Sequence, residues 1–451
     1  MWSNRFSPLQ VVVLGFFSIC LSLPLIAGGY QVSEQSVRGL SLAHAGVATG
    51  LGDGSAIFYN PAALTRHDKN RISFGLQGIF LDAEFQDEGS TVAGVIPLSG
   101  DAGGNPTDTA VIPNGYAVYR INDKLVLGGS LNAPFGLAVK YEEGWIGRYH
   151  GVDSELGAIN PNLTLGYKVN DTVSLGFGLN YYYLPDTLIS SAIDFGTIGT
   201  SVLGPEQAAA IGLAPQSNDG SVTIEGEDKI FSFNAGMLFE FENSRFGIGY
   251  RHEGEGSVVG RAEIEIPAGY EALFQQFNDA NGRPLFASSD GYVDITLPTI
   301  IFAGYHHDFG KLGMNLDVQW ADWSVFPELR VVYSETLRVD SVVELEWEDA
   351  MRFSLGFDYE ASETMTWRFG VAEEESPIPA ARNRTPRIPD SDRTWLAGGF
   401  TYKMGHYEID LAVSHIIADD GPVDLPGTTD QLRGTYDLSG NILSVAVNYI
   451  F

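Results

Sequence analysis

Cysteine is almost missing from this chain of 451 residues: the only one is Cys20, inside an apolar N-terminal stretch. That excludes a disulfide scaffold, a thiol nucleophile and a thiolate metal site from everything beyond it. Basic residues are scarce too, 26 Lys and Arg against 57 Asp and Glu, for a formal charge of −31. Nucleic-acid phosphates are held by basic patches, so no nucleic-acid partner is expected. Solvated acidic loops, suited to a salty habitat or to divalent cations near lipopolysaccharide, account for the charge more simply than catalysis. Helical signals are thin, because long Ala/Leu/Glu/Lys runs are missing after the first residues. Signatures of hydrolytic chemistry are also absent: neither His-Glu-x-x-His nor Gly-x-Ser-x-Gly occurs. His306 and His307 are adjacent on an extended segment, so they point to opposite faces and share no ligand. No cofactor, no metal site and no enzymatic activity are expected.

What the chain does have begins with an export signal. Arg5 precedes an apolar run over residues 11–23, and Pro24 then leads to the small residues Ala27, Gly28 and Gly29. The run is shorter than the ~20 residues of a membrane-spanning helix, so residues 1–27 read as a cleaved signal peptide. Gly is abundant (53 residues), aromatics make up 12% and the mean hydropathy is near zero.

Strict alternation dominates most of the remaining chain. Residues 173–181 place Val, Leu, Phe, Leu and Tyr on one side and Ser, Gly, Gly and Asn on the other; residues 231–237 and 351–359 repeat the design. A soluble sandwich and a membrane barrel both alternate in this way. The connections separate them. Short polar turns at Asn122-Asp123, Asn170-Asp171, Asn243-Ser244, Gly310-Lys311 and Met404-Gly405 alternate with long irregular stretches near 186–227, 258–294, 323–350, 372–391 and 418–439. Short turns on one side and long loops on the other fit an outer-membrane barrel, and a compact domain rarely carries so many long loops. Strand starts fall near residues 71, 111, 124, 157, 172, 228, 245, 296, 311, 351, 364, 393, 406 and 440. Fourteen is even, as a closed antiparallel barrel of this kind requires. The last strand sets Leu443, Val445, Val447, Tyr449 and Phe451 on one face, ending on an aromatic residue as strands read by barrel-assembly machinery do.

Residues 28–70 do not alternate. They are Gly- and Ala-rich and carry Asn60-Pro61-Ala62, a turn signal, just before the first strand. The segment is too small to fold alone and large enough to fill a barrel, so it reads as a hatch, with 71–451 as the wall and its loops.

On these residues the chain resembles the FadL/TodX family of outer-membrane transporters for hydrophobic compounds. The resemblance runs through Gly29-Tyr30-Gln31, Asn60-Pro61-Ala62, Ala133-Pro134-Phe135-Gly136 and Trp145-Ile146-Gly147-Arg148-Tyr149. It continues through Asn160-Pro161-Asn162, Gly247-Ile248-Gly249-Tyr250-Arg251, Trp320-Ala321-Asp322-Trp323, Arg368-Phe369-Gly370 and Asn383-Arg384. It closes on Pro389-Asp390-Ser391-Asp392-Arg393. The resemblance implies an all-β, fourteen-stranded transmembrane barrel in a Gram-negative outer membrane, plugged by the hatch and working as a monomer. It also implies capture of a fatty acid or hydrocarbon between outer loops and transfer to an internal pocket. Exit then runs sideways into the membrane, where the third strand kinks.

Each candidate residue in that picture also has a plainer alternative. Tyr30 gates the pocket, or packs against the wall. Asn132, Pro134, Phe135 and Gly136 mark the kink: Pro removes a ladder donor and Gly permits a bend. The alternative is an ordinary strand end. Phe135, Trp145 and Ile146 offer apolar surface to a ligand, or Trp145 belongs to the interfacial aromatic girdle. Arg352, Arg368 and Arg393 project into the lumen, to meet a carboxylate or to pair with Asp358, Asp390 or Asp392. The fatty-acid members of the family place basic residues on the fifth-strand extension and before the tenth strand. Here residues 181–186 and 343–348 hold neither Lys nor Arg, which points to a neutral hydrocarbon as cargo. A lipase-type enzyme and a general diffusion porin are the competing readings.

Overall fold

Fourteen antiparallel strands close into a barrel among the residues described by the computed structural model, 28–107, 109–280, 285–334 and 339–451. The expected signal peptide lies outside them. In chain order the first seven strands are β1 (Arg71–Asp87), β2 (Ala110–Arg120), β3 (Leu125–Lys140), β4 (Asp153–Lys168), β5 (Val173–Asp194), β6 (Asp219–Glu240) and β7 (Ser244–Arg251, resuming as Gly254–Glu265). The rest are β8 (Ser289–Leu297, resuming as Ile300–Asp308), β9 (Leu312–Ala321), β10 (Ala350–Glu360), β11 (Met365–Glu374), β12 (Arg393–Met404), β13 (Tyr407–Ala418) and β14 (Asp430–Ile450). β14 pairs with β1 from Arg71↔Ile450 to Asp87↔Gly434, which joins the last strand to the first.

Exposure decides between sandwich and barrel. On β5, Leu175, Phe177 and Leu179 are 43, 51 and 59% exposed, while Ser174 and Asn180 on the other side are buried. On β14, Leu443, Val445, Val447 and Tyr449 are turned outward and Ser444, Ala446 and Asn448 are buried. A sheet that buries its polar side and displays its apolar one has lipid as its outer solvent.

The strand count matches the sequence pattern, but several stretches expected to be irregular are strand. β5 runs to Asp194, β6 begins at Asp219, β7 resumes to Glu265 and β14 starts at Asp430. Above the membrane both faces of a strand meet water, so the ladder continues without apolar alternation and the sequence signal fades. The helices Phe195–Leu203 and Glu271–Ala280 pack above the wall around Phe195, Leu213 and Phe274.

The hatch fills the lumen with short helical turns. Ser36 Oγ accepts from Gly39 N–H at 2.9 Å and caps Val37–Leu40. Asn60 caps the last turn of the hatch, Pro61–Arg66, by accepting from Ala62 N–H at 3.1 Å, with Pro61 at the first helical position. The Asn60 amide also donates to Ala48 O at 2.6 Å and to Met237 O on β6 at 3.0 Å. This turn lies directly on the wall, where a Cβ at Gly176, Gly236 or Gly249 would collide with Pro61, Asn60 or Tyr59. Those glycines, which in the sequence are only the small side of alternating strands, form the floor on which the hatch rests. A buried ion-pair set ties the hatch to the wall: Arg38 reaches Glu408 at 2.6 Å and Asp410 at 2.9 Å, and Arg71 meets Glu408 at 2.8 Å.

Candidate functional site

The barrel wall has a broken seam around β3. The ladder from β2 to β3 runs from Arg120↔Val126 only as far as Gly115↔Leu131. Beyond it, Ala110–Asn114 of β2 still pairs with β1 but has no partner on the β3 side among the described residues. On its other side β3 slips register against β4 between Asn132 and Phe135, where three steps of β3 match two of β4. Pro134 sits in that bulge without an N–H to give. Pro113 removes a second donor on the facing edge of β2, a feature the sequence reading missed.

The first residues of the hatch occupy the freed edge. Val32 N–H donates to Pro134 O at 2.8 Å and Gly136 N–H donates to Tyr30 O at 2.9 Å, making Gln31 and Phe135 an antiparallel bridge. The Gln35 amide donates to Ala133 O at 3.0 Å. Asn132 donates to Gln35 Oε1 at 3.0 Å and to the Tyr116 hydroxyl at 2.6 Å. Residues 30–32 thus form a short strand-like bridge on the β3 edge, with Gln35 tied in through its side chain. Open strand edges attract such partners because their backbone groups are otherwise unsatisfied.

Above this seal is a cavity of about 800 Å³, lined mainly by apolar side chains such as Leu137, Leu156, Ile189, Phe326 and Ile388, with Tyr30 among them. The Tyr30 ring is buried against Trp323 at 4.7 Å, Phe326 at 5.6 Å, Phe135 at 6.1 Å and Trp347 at 6.1 Å, and its hydroxyl donates to Thr296 O at 3.1 Å. One residue therefore belongs both to the cavity and, through its backbone, to the seal on β3.

A barrel with a luminal hatch, a broken seam at its third strand and a greasy cavity above it calls for comparison with outer-membrane transporters. Residues 18–451 match the family described as "Outer membrane protein transport protein (OMPP1/FadL/TodX)". The chain belongs to this family. It is 28% identical to the long-chain fatty acid transport protein of Escherichia coli K12 over 404 residues, covering 86% of this chain and 88% of that protein. The 47 kDa outer membrane protein of Pasteurella multocida is 29% identical over 430 residues, with 94% of each chain covered. Among solved structures, a FadL homologue of Pseudomonas aeruginosa superposes with a TM-score of 0.85 at 22% identity, covering 93% and 99% of the two chains. The toluene transporter TodX of Pseudomonas putida gives 0.65 at 17%, covering 94% and 99%. These two likenesses establish the shared fold, an outer-membrane β-barrel.

Within that frame the arginines proposed from parity do face inward, yet none lines the cavity. Arg352 donates to Ser33 Oγ at 2.8 Å and Gln319 Oε1 at 2.7 Å, with Glu374 at 3.7 Å. Arg393 pairs with Asp390, whose other oxygen accepts from Gly29 N–H at 3.1 Å. Both arginines hold the sealing segment. Arg368 donates to Thr401 Oγ1 at 2.6 Å and lies across the ladder from Asp358. Of the three expected acids, Asp390 is thus an ion-pair partner, whereas the carboxylate near Arg352 is Glu374. Trp145 and Ile146 are buried inside the outer loops rather than among the cavity-lining residues. Trp145 stacks on Tyr141 at 3.8 Å and donates to Gly151 O at 2.8 Å. Fully buried, it is no girdle residue either.

The cations that do line the cavity, Arg382 and Arg387, come from the loop between β11 and β12. Arg384 and Arg393 of the run 382–393 stand out in the sequence, but nothing in the alternation or the motifs singles out Arg382 or Arg387. Another inward cation, Arg251, is buried with its guanidinium 4.1 Å from the Phe58 ring centre, donating to Tyr182 at 2.7 Å and Asn180 at 3.0 Å.

Proposed function

We propose that this protein takes up hydrophobic compounds, long-chain fatty acids or hydrocarbons, by passive transfer through the cavity and sideways out between β2 and β3. The observation that carries the reading is the double place of Tyr30, which packs at the cavity and whose carbonyl holds the seal on β3. Cargo entering the cavity competes with the Tyr30 ring for the same apolar surface. Moving Tyr30 withdraws the backbone contacts at Pro134 and Gly136 and opens the seam. Each contact contributes only about 1 kcal/mol net, so cargo burial of a few hundred Å² at ~25 cal/mol per Å² is sufficient to displace the segment. Sideways release suits the cargo, since an apolar molecule gains nothing from an aqueous channel. The names of the relatives, a fatty acid transport protein and toluene transporters, support the same cargo class. That these relatives are transporters also weighs against a lipase-type activity.

A crosslink tests the gate. Gln31 and Phe135 face each other in a non-hydrogen-bonded antiparallel bridge, where Cα atoms lie about 4.5 Å apart, close enough for a disulfide. The only native cysteine is Cys20, so the pair Gln31→Cys with Phe135→Cys reports cleanly. Oxidised protein should fail to take up labelled palmitate or hexadecane, and reductant should restore uptake. Undiminished uptake by the fully oxidised protein refutes gating by this segment. Large steady ion conductance of the intact protein in planar bilayers would instead indicate a general porin.

A further inference from the structure

We infer that Arg387 is the head-group receptor of the cavity, so that the protein prefers amphiphiles carrying an anionic head, a long-chain carboxylate, over neutral hydrocarbons of equal length. This rests on the cavity being the cargo site proposed above, and it assigns to a single loop residue the selectivity that residues 181–186 and 343–348 do not supply.

The two cations of the lining differ in one respect. Arg382 is largely exposed and already paired with Glu346 at 2.7 Å. Arg387 is half-buried and has no carboxylate within ion-pair distance among the described residues. One of its Nη atoms donates to Asp153 O at 3.2 Å and Ser154 Oγ at 2.8 Å. Its Nε and second Nη have no such partner among the described residues, leaving one edge of the guanidinium fork free for the two oxygens of a carboxylate. Asp153, the acid whose charge acts on Arg387, is paired with Lys140 at 3.1 Å. Other acids of the lining are engaged or exposed. Asp430 pairs with His150 at 2.8 Å, Asp194 caps a helix through Thr197 N–H at 2.8 Å, and Glu155 and Glu344 are exposed.

Arg387 is also held in place. Its side chain lies over Gly151, where an added Cβ would sit 3.1 Å from Arg387 Cγ and 3.4 Å from Cζ. The preceding residue is fixed by the Tyr141 hydroxyl, which donates to Pro386 O at 2.8 Å while Tyr141 stacks on Trp145. Trp145, expected from the sequence to be a ligand contact, acts here as a positioning residue. A rigid cation at the edge of an apolar chamber is how an amphiphile's two ends are sorted: the chain is buried and the head is paired. Burial pushes the Arg387 guanidinium down to about 10, which still leaves it charged near neutrality. Carboxylate binding should therefore be level from pH 7 to 9 and decline only above that.

The test is equilibrium binding of labelled palmitate, hexadecanol and hexadecane to full-length protein in lipid nanodiscs. Wild type should bind palmitate most tightly. Arg387→Gln should weaken palmitate about 10- to 100-fold, as loss of a charge-assisted pair predicts, and leave hexadecane unchanged. Arg387→Lys should recover part of the loss, and Arg382→Gln should change little. Gly151→Ala, which crowds the guanidinium, should mimic Arg387→Gln in weaker form. Unaltered palmitate affinity in Arg387→Gln overturns the assignment while leaving the transport reading intact. Failure of the wild type to bind any of the three overturns the cavity reading itself.

Discussion

The two halves of the hatch are held by different chemistry. Residues 36–66 are fastened by buried charge and by shape: Arg38 is locked between Glu408 and Asp410, and Asn60-Pro61 is seated on wall glycines. Residues 29–35 are held mainly by strand-like backbone contacts and an aromatic cluster, with two charge-assisted bonds, from Gly29 N–H to Asp390 and from Arg352 to Ser33 Oγ. Removing a buried charge from its partners costs several kcal/mol, whereas a neutral hydrogen bond is exchanged for about one. Under the gating proposed above, the difference separates the part of the plug that stays from the part that moves. The plug's body is fixed by buried ion pairs, and its leading segment is held mostly by backbone and aromatic contacts of the kind an apolar ligand can replace.

The comparison breaks most visibly at Arg38. Arg38→Gln leaves Glu408 with Arg71 alone and strips Asp410 of its cation. It should cost roughly 3–5 kcal/mol, read as a lower unfolding midpoint in urea, and should produce ion-conducting steps in planar bilayers. A silent bilayer would mean that the body is held by shape and not by charge. Asn60→Ala comes next. It removes a helix cap and two further donated bonds, to Ala48 O and Met237 O, and should cost about 1–2 kcal/mol. Its conductance should rise only intermittently, because the ion pairs of Arg38 persist.

How much of this is legible in the sequence depends on what each residue meets. The wall is readable because lipid forces a period of two, and Val173 to Tyr181 keep it without interruption. The seam is readable at Pro134, because a missing N–H in a strand has few uses. Parity also places Arg352 and Arg393 inward, but it cannot say what fills the lumen opposite them. They meet Ser33 and Asp390, not cargo, because the hatch arrives there first. The head-group cation proposed at Arg387 is hidden for the opposite reason. Loops have no period, so only folding brings residue 387 beside residues 151–154.

The mildest test lies at Pro134. Pro134→Ala restores one backbone N–H on the edge that Tyr30–Val32 covers, and leaves every ion pair of the hatch in place. Stability should change by less than about 1 kcal/mol, mainly through the unfolded chain, and the bilayer should stay silent. Uptake should nevertheless slow several-fold, because a donor at the bulge favours a straight β3 that can re-pair with β2 and close the seam from within the wall. Uptake assays of wild type and variant at equal surface abundance measure this. If Pro134→Ala transports at the wild-type rate, the kink is a consequence of the hatch strand pressing on β3 rather than a property of β3 itself.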